Sequence, residues 1–382
     1  MKYRKFGKLN WEVSALGFGA MRLPVLDNDQ SKIVEPEAIQ LIRSAIDSGV
    51  NYVDTAYGYH GGNSERLVGK ALGDGYRNKV RLATKLWPPA IQTPADFDRL
   101  LSEQLNKLQT DHIDFYLLHG MNKTSWPKLR DLGVLEWSEK AKADGRIRDL
   151  GFSFHDTLDV FKEIVDAYDQ WTFCQIQYNF MDTEFQAGTE GLEYAAAKGL
   201  GVVIMEPLRG GALAKKPPES VAKVYASSPI QRSQADWALQ WVWNHPEVSV
   251  VLSGMTTMTQ VTENLASADR SNPESFSRED LDVIDRVREE YIKSCPIPCT
   301  GCRYCMPCPN DVDIPHIFSI YNTGYMYEDH RMARFYYRQL PPETQANQCV
   351  QCGECGEKCP QDFDITEALA KVHGWLGPKP TA

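Results

Sequence analysis

Residues 49–72 read GVNYVDTAYGYHGGNSERLVGKAL, and this stretch decides the fold. Tyr52–Asp54 is a short apolar run ending on an acid, a Gly-rich polar turn follows, and Ser64–Leu72 then carries apolar residues at helical spacing. Strand, turn and amphipathic helix make one β-α unit, and the unit recurs in both directions. The candidate strands are Ser14–Gly19, Tyr52–Asp54, Val80–Thr84, Ile113–Leu118, Ile147–Phe152, Phe173–Gln177, Gly201–Met205 and Val248–Ser253. Between them lie helical patterns at Pro36–Ser48, Ser64–Leu72, Pro94–Leu108, Leu132–Ala143, Leu158–Ala167, Phe185–Lys198 and Gln231–Asn244, with Met258–Ala268 after the last strand. Eight strands, each followed by a helix, predict an α/β fold of the closed (β/α)8 TIM-barrel type. An open doubly wound sheet loses its usual support, because no G-x-G-x-x-G follows the first strand.

The chain has 382 residues, enough for one large barrel and a small second domain. Hydrophobic residues at 42% and charged residues at 24% are globular values, which excludes disordered and collagen-like classes. The net charge of −10 shows no basic stripe, so nucleic acid is not expected as a partner. Val248–Thr262, the longest uncharged stretch, is too short and too rich in Ser and Thr for a membrane span. The opening MKYRKFGKLNWEVS does not read as a signal peptide, and a cytoplasmic location is expected.

Eight of the ten cysteines fall into two runs, Cys299, Cys302, Cys305 and Cys308, then Cys349, Cys352, Cys355 and Cys359. Such tight spacing in a chain expected in the cytosol points to metal and not to a disulfide framework. Composition shifts at SCPIPCTGC, which sets expected domains of 1–293 and 294–382. Between the runs, the segment containing YNTGYMYEDHRMARFYYRQLPP predicts one or two helices closed by Pro341 and Pro342. Cys174, inside the sixth strand, is expected to be a buried small hydrophobe.

Barrel enzymes place their chemistry at the C-terminal ends of the strands. Asp54 ends the second strand with Tyr59 five residues on, Lys85 ends the third in LATKLW, and His119 ends the fourth in DFYLLHG. In this order and context, residues 1–290 resemble the aldo-keto reductase family. The resemblance implies an Asp54, Tyr59, Lys85, His119 tetrad that reduces a small-molecule carbonyl substrate with NAD(P)H. Hydride addition leaves an alkoxide, so Tyr59 is the expected acid; Lys85 is expected to lower its pKa, Asp54 to hold Lys85, and His119 to orient the carbonyl.

The same resemblance implies nucleotide contacts from Gln175, Ser153 and Arg22, with Met205 where an aromatic residue usually stacks on nicotinamide. Glu263 and Asn264 match the adenosine-contacting pair, whereas Gly254 and Gln260 stand where Lys and Arg commonly hold a 2′-phosphate. Loss of that clamp leaves NADH preference, substitution by an Arg such as Arg209, or weak nucleotide binding open. GMTTMTQVTENL also reads as a plain helix start.

CVQCGECGEKCP has the C-x2-C-x2-C-x3-C-P form, and CTGCRYCMPCP is the same with one residue fewer. Both resemble two-cluster ferredoxins, implying a small ferredoxin-like iron–sulfur domain with two [4Fe-4S] clusters. Carried over, Cys299, Cys302, Cys305 and Cys359 hold one cluster, and Cys349, Cys352, Cys355 and Cys308 the other; the shortened first run leaves that partition open, with Cys295 as an alternative first-run ligand. The whole chain resembles the aldo-keto reductase subgroup with such a C-terminal domain, and an electron-transfer protein becomes an expected partner. Two other roles fit the sequence: a nucleotide-binding regulatory module, and an electron-transfer protein whose barrel only docks a partner. The aromatic segment Tyr321 to Tyr337 either covers the pocket with Trp87, Phe154 and Trp126 or builds the small domain's core.

Overall fold

A computed structural model describes residues 1–299, 301, 305–359, 361 and 363–378. Two compact units form: Met1–Ala214 with Arg232–Phe276, and Lys215–Gln231 with Ser277–Ala382.

The first unit is the predicted barrel. Two short strands, β1 (Tyr3–Lys5) and β2 (Glu12–Ser14), pair antiparallel as a hairpin. Eight further strands follow: β3 (Leu16–Gly19), β4 (Tyr52–Asp54), β5 (Arg81–Leu86), β6 (Ile113–Met121), β7 (Ile147–Phe154), β8 (Phe173–Gln177), β9 (Gly201–Met205) and β10 (Val248–Ser253). They pair in parallel in sequence order, and β10 closes on β3. Amphipathic helices such as Glu35–Asp47, Ala95–Leu108 and Leu158–Asp166 cover the outside with their buried stripes.

Strand alternation sorts the side chains into two sets. Tyr52, Ala83, Phe115, Leu117, Phe173, Val203 and Val250 point inward and form one apolar cluster with Phe6 and Val13 of the hairpin. Phe6 lies 4.8 Å from Phe115 and 5.7 Å from Phe173 between ring centroids, so the hairpin plugs the end of the barrel where the strands begin. Gly7 makes this approach possible. Its φ is +52°, and a Cβ there would sit 2.3 Å from the Gly201 nitrogen. The other set faces the helices: Phe152 and Phe154 pack on Phe161, and Cys174 is fully buried, as expected for a small hydrophobe.

In the second unit, helices Ile314–Met326 and His330–Gln339 fill the segment between the cysteine runs, where one or two helices were expected. A third, Ile365–Leu376, follows the second run. Their core contains Phe318, Tyr321, Tyr337, Leu369 and Val372, with Cys349, Cys359 and Cys308 packed against it. Helix Arg278–Lys293 belongs to this unit together with Glu219–Ala226.

Candidate active site

The inward residues two positions beyond the apolar layer are mostly polar. Tyr52 is followed at that spacing by Asp54, Ala83 by Lys85, Leu117 by His119 and Phe173 by Gln175, while Val203 is followed by the apolar Met205. Period-two geometry thus turns an apolar floor into a polar ring at the strands' C-terminal ends.

Lys85 is buried and donates to both carboxylate oxygens of Asp54, at 2.6 and 2.8 Å, and to the Thr55 carbonyl at 2.9 Å. Burial opposes its charge, but Asp54 and Tyr59 outweigh that and hold its pKa above the ordinary lysine value. Its Nζ lies 5.1 Å from the centre of the Tyr59 ring, and the His119 ring meets that ring edge-on at 6.0 Å. The four expected residues therefore converge on one point. Thr84, facing outward, donates to the buried Glu65 at 2.7 Å, and Gln104 donates to the Lys85 carbonyl at 3.0 Å, which pins β5 beneath the site.

Tyr59 behaves differently from the expectation. Burial raises its pKa above 10 and exceeds the lowering by Lys85; Asp54 and Glu206 add to the rise. The phenol is consequently protonated throughout the neutral range. Burial, with Lys85 and His155 adding repulsion, pushes His119 down to about 3, so its imidazole is neutral. His119 Nδ1 has no hydrogen-bond partner among the described residues.

The nucleotide positions fall into two groups. Ser153 and Gln175 are direct neighbours across β7 and β8; Ser153 Oγ accepts the Gly120 N–H at 2.8 Å, and the buried Gln175 Oε1 has no partner among the described residues. With Met205 at the end of β9, they provide an unpaired amide oxygen on Gln175 and a hydroxyl on Ser153, functions of the kind a carboxamide-bearing nicotinamide needs. Arg22 and Gly254 form the second group: a Cβ on Gly254 would meet Arg22 Cγ at 2.7 Å, so glycine lets the arginine stem lie across the backbone. Thr256 Oγ1 donates to the Arg22 carbonyl at 2.8 Å.

Gln260 is engaged in a capping box at the start of helix Met258–Ala268. Its Oε1 accepts the Thr256 N–H at 2.7 Å, while Thr257 Oγ1 accepts the Gln260 N–H. Asn264 is buried and donates to Ser253 Oγ at 3.0 Å, and Glu263 is exposed. Arg209 pairs with Asp182 at 3.3 Å. Phe154 and Trp126 are buried core residues, Trp126 packing on Trp171; Trp87 is exposed and stacks on Tyr57 at 5.6 Å. In the second unit Tyr321 and Tyr337 build the core, while Phe335 and Tyr336 are exposed.

Five of the predicted thiols, Cys305, Cys308, Cys349, Cys352 and Cys355, line one cavity of the second unit. The positive φ of Gln351 and Gly353 coils the second run where Cys349, Cys352 and Cys355 line the same cavity. This donor set fits a thiolate-bound iron–sulfur group, with Cys305 and Cys308 of the first run both beside three cysteines of the second, so Cys305 does not stand apart as the carried-over partition expects. Cys299 and Cys359 pack on the adjoining core, and Cys302 lies outside the described residues. No three His, Cys, Asp or Glu side chains among the described residues converge on a single point.

Residues 15–289 match the model of the Aldo/keto reductase family. The chain belongs to that family. Residues 298–363 match the 4Fe-4S dicluster domain. L-galactose dehydrogenase of Arabidopsis thaliana is 27% identical over 307 residues, covering 76% of this chain and 95% of that protein. Among solved structures, aldo-keto reductase AKR11C1 from Bacillus halodurans (holo form) shares 29% identity with a TM-score of 0.63, over 75% of this chain and 96% of that one. An aldo-keto reductase from Klebsiella pneumoniae in complex with NADPH shares 26% identity with a TM-score of 0.60, over 75% and 95% of the two chains.

Two neighbours of these four residues escaped sequence reading. His60 is buried in a left-handed conformation (φ 54°), donates from Nδ1 to the Gln30 carbonyl and accepts the Leu23 N–H at Nε2, which clamps the turn carrying Tyr59. Glu206, after β9, brings its charge to bear on Tyr59. The only signal for His60 was its place between Tyr59 and two glycines; for Glu206 there was none.

Proposed function

We propose that this chain reduces a small-molecule carbonyl compound with NADH or NADPH, using Asp54, Tyr59, Lys85 and His119. The convergence of Lys85 and His119 on the Tyr59 ring, with Lys85 locked by Asp54, carries the reading. Nicotinamide, when bound, supplies the hydride. Ser153 and Gln175 would hold its carboxamide, and the open strand-end ring positions the substrate carbonyl toward Tyr59.

Tyr59 then donates its phenolic proton to the carbonyl oxygen as negative charge develops there. Its raised pKa keeps that proton in place beforehand. Lys85 stabilises the phenolate left behind, and Asp54 prevents the ammonium from moving. Neutral His119 donates a hydrogen bond to the same oxygen and fixes its direction.

For the second unit, with a domain boundary near residue 294, we propose two [4Fe-4S] clusters held by the two cysteine runs, serving one-electron transfer. Four further assignments complete the reading: a cytoplasmic protein, an electron-transfer protein as partner, and neither nucleic acid nor membrane as a ligand. The test is anaerobic purification with iron and sulfide analysis, followed by aldehyde turnover with each nucleotide. Nucleotide binding without turnover of any carbonyl would contradict the enzymatic reading and favour a regulatory module.

A further inference from the structure

Helix His330–Gln339 presents two unlike stripes. Ala333, Tyr337 and the following Leu340 are buried in the core of the second unit, where Tyr337 Oη lies 2.8 Å from His373 Nδ1 and accepts the Ala346 N–H at 3.0 Å. Cys349 packs against that core, and Cys355 is part of it. The outer stripe, at positions i, i+3, i+4 and i+7, is Arg331, Arg334, Phe335 and Arg338, which line an open groove with His330 and Gln339. Phe335 within the stripe is 53% exposed, and Met332 and Tyr336 beside it are 45% and 49% exposed.

The charge of this face runs against that of the chain. Residues 330–340 hold three arginines and no acid, in a protein of net charge −10. Asp329, at the start of the helix, pairs with Lys215 and caps the Met332 N–H, so its charge is already answered. Arg334 is steadied by donating to the Trp375 carbonyl at 3.0 Å.

We propose that this face docks an acidic one-electron carrier protein that exchanges electrons with the iron–sulfur group of the Cys349–Cys355 run. The inference rests on the redox reading of the second unit. Nicotinamide delivers two electrons together as hydride, whereas a [4Fe-4S] cluster takes one, so the clusters require a one-electron donor or acceptor. One electron leaves the reduced carrier and enters the cluster, with no bond made and no proton moved. Exposed Arg, Tyr, Phe and Met are the residue types enriched at protein interfaces. A local positive patch orients an acidic protein at close range, while the negative remainder of the chain repels an extended polyanion.

The experiment uses the cluster-loaded full chain and a reduced plant-type ferredoxin as the acidic probe. Cluster reduction is followed by stopped flow at low and high salt, and dithionite serves as a carrier-independent reductant. Arg331→Glu with Arg338→Glu should slow reduction by ferredoxin about tenfold or more at low salt, with dithionite reduction and iron content unchanged. The milder Arg331→Gln with Arg338→Gln should give an intermediate loss, which covers the case in which charge reversal disturbs the helix. Binding of oxidised ferredoxin, measured by calorimetry, should weaken in the same order. Ferredoxin kinetics that ignore both salt and these substitutions would overturn the docking face, as would loss of binding to an anionic vesicle or an oligonucleotide in place of ferredoxin. A chain whose iron and sulfide are absent, or whose clusters dithionite does not reduce, would instead overturn the redox reading beneath it.

Discussion

Lys85 Nζ bridges both oxygens of Asp54, at 2.6 and 2.8 Å, directly beside the Tyr59 ring. The ion pair fixes the ammonium but also spends much of its field on Asp54. Burial therefore decides the state of Tyr59, and the phenol keeps its proton.

The pH dependence of reduction follows. Tyr59 acts as donor only when protonated, and its pKa lies above 10; His119, at about 3, stays neutral. Neither group titrates between pH 6 and 9, so kcat for reduction should be flat there and fall only as Tyr59 loses its proton at higher pH. A break near pH 6.5, measured with initial rates at saturating nucleotide, would contradict the neutral His119.

Gln260→Arg should raise affinity for NADPH relative to NADH, because it adds a charge-assisted partner for a 2′-phosphate. The substitution also removes the carbonyl that caps Thr256, at a cost of about 1 kcal/mol to the helix start. Fluorescence titration with both nucleotides checks the first effect and thermal melting the second.

Phe6→Ala should destabilise the barrel by about 3–5 kcal/mol, the usual range for deleting a buried Phe. Phe6 is fully buried among Trp11, Tyr52, Phe115 and Phe173, at the end opposite the tetrad. Denaturant unfolding reads the loss, while kcat at low temperature should change little.

Much of this was legible because two sequence periods coincide with two structural roles. Apolar residues such as Tyr52 and Leu117, each followed two positions later by Asp54 and His119, announced both the barrel's interior and its polar rim. The hairpin of β1 and β2 was not legible, since three-residue strands carry too little alternation to register. Helix Ser125–Asp131 hides behind its Pro127, and Glu219–Ala226 behind the Lys-Pro run before it. Lys85 and Asp54 were named as charges beside Tyr59 and Glu206 was missed, but sequence does not report desolvation, and desolvation set the sign of its shift. Gln260 illustrates the same limit: its identity suggested a missing contact, and its geometry revealed a cap.

Iron removal should act on one unit alone. Cys355 lies in the second unit's core with Tyr337 and Leu369, and Cys305, Cys308 and Cys349 pack against it, so stripping the metal with a chelator under argon should lower or abolish that unit's melting transition. The barrel's transition should persist. Calorimetry of loaded and stripped protein separates the two.

The central claim is that Tyr59 donates the proton in carbonyl reduction, and the most direct measurement compares wild type with Tyr59→Phe. Anaerobic, cluster-loaded protein is mixed with aldehyde and NADH or NADPH, and nucleotide oxidation and product are followed together. The account predicts that the variant folds, binds nucleotide and loses turnover by about 10²-fold or more. Turnover in Tyr59→Phe equal to that of the wild type would contradict it.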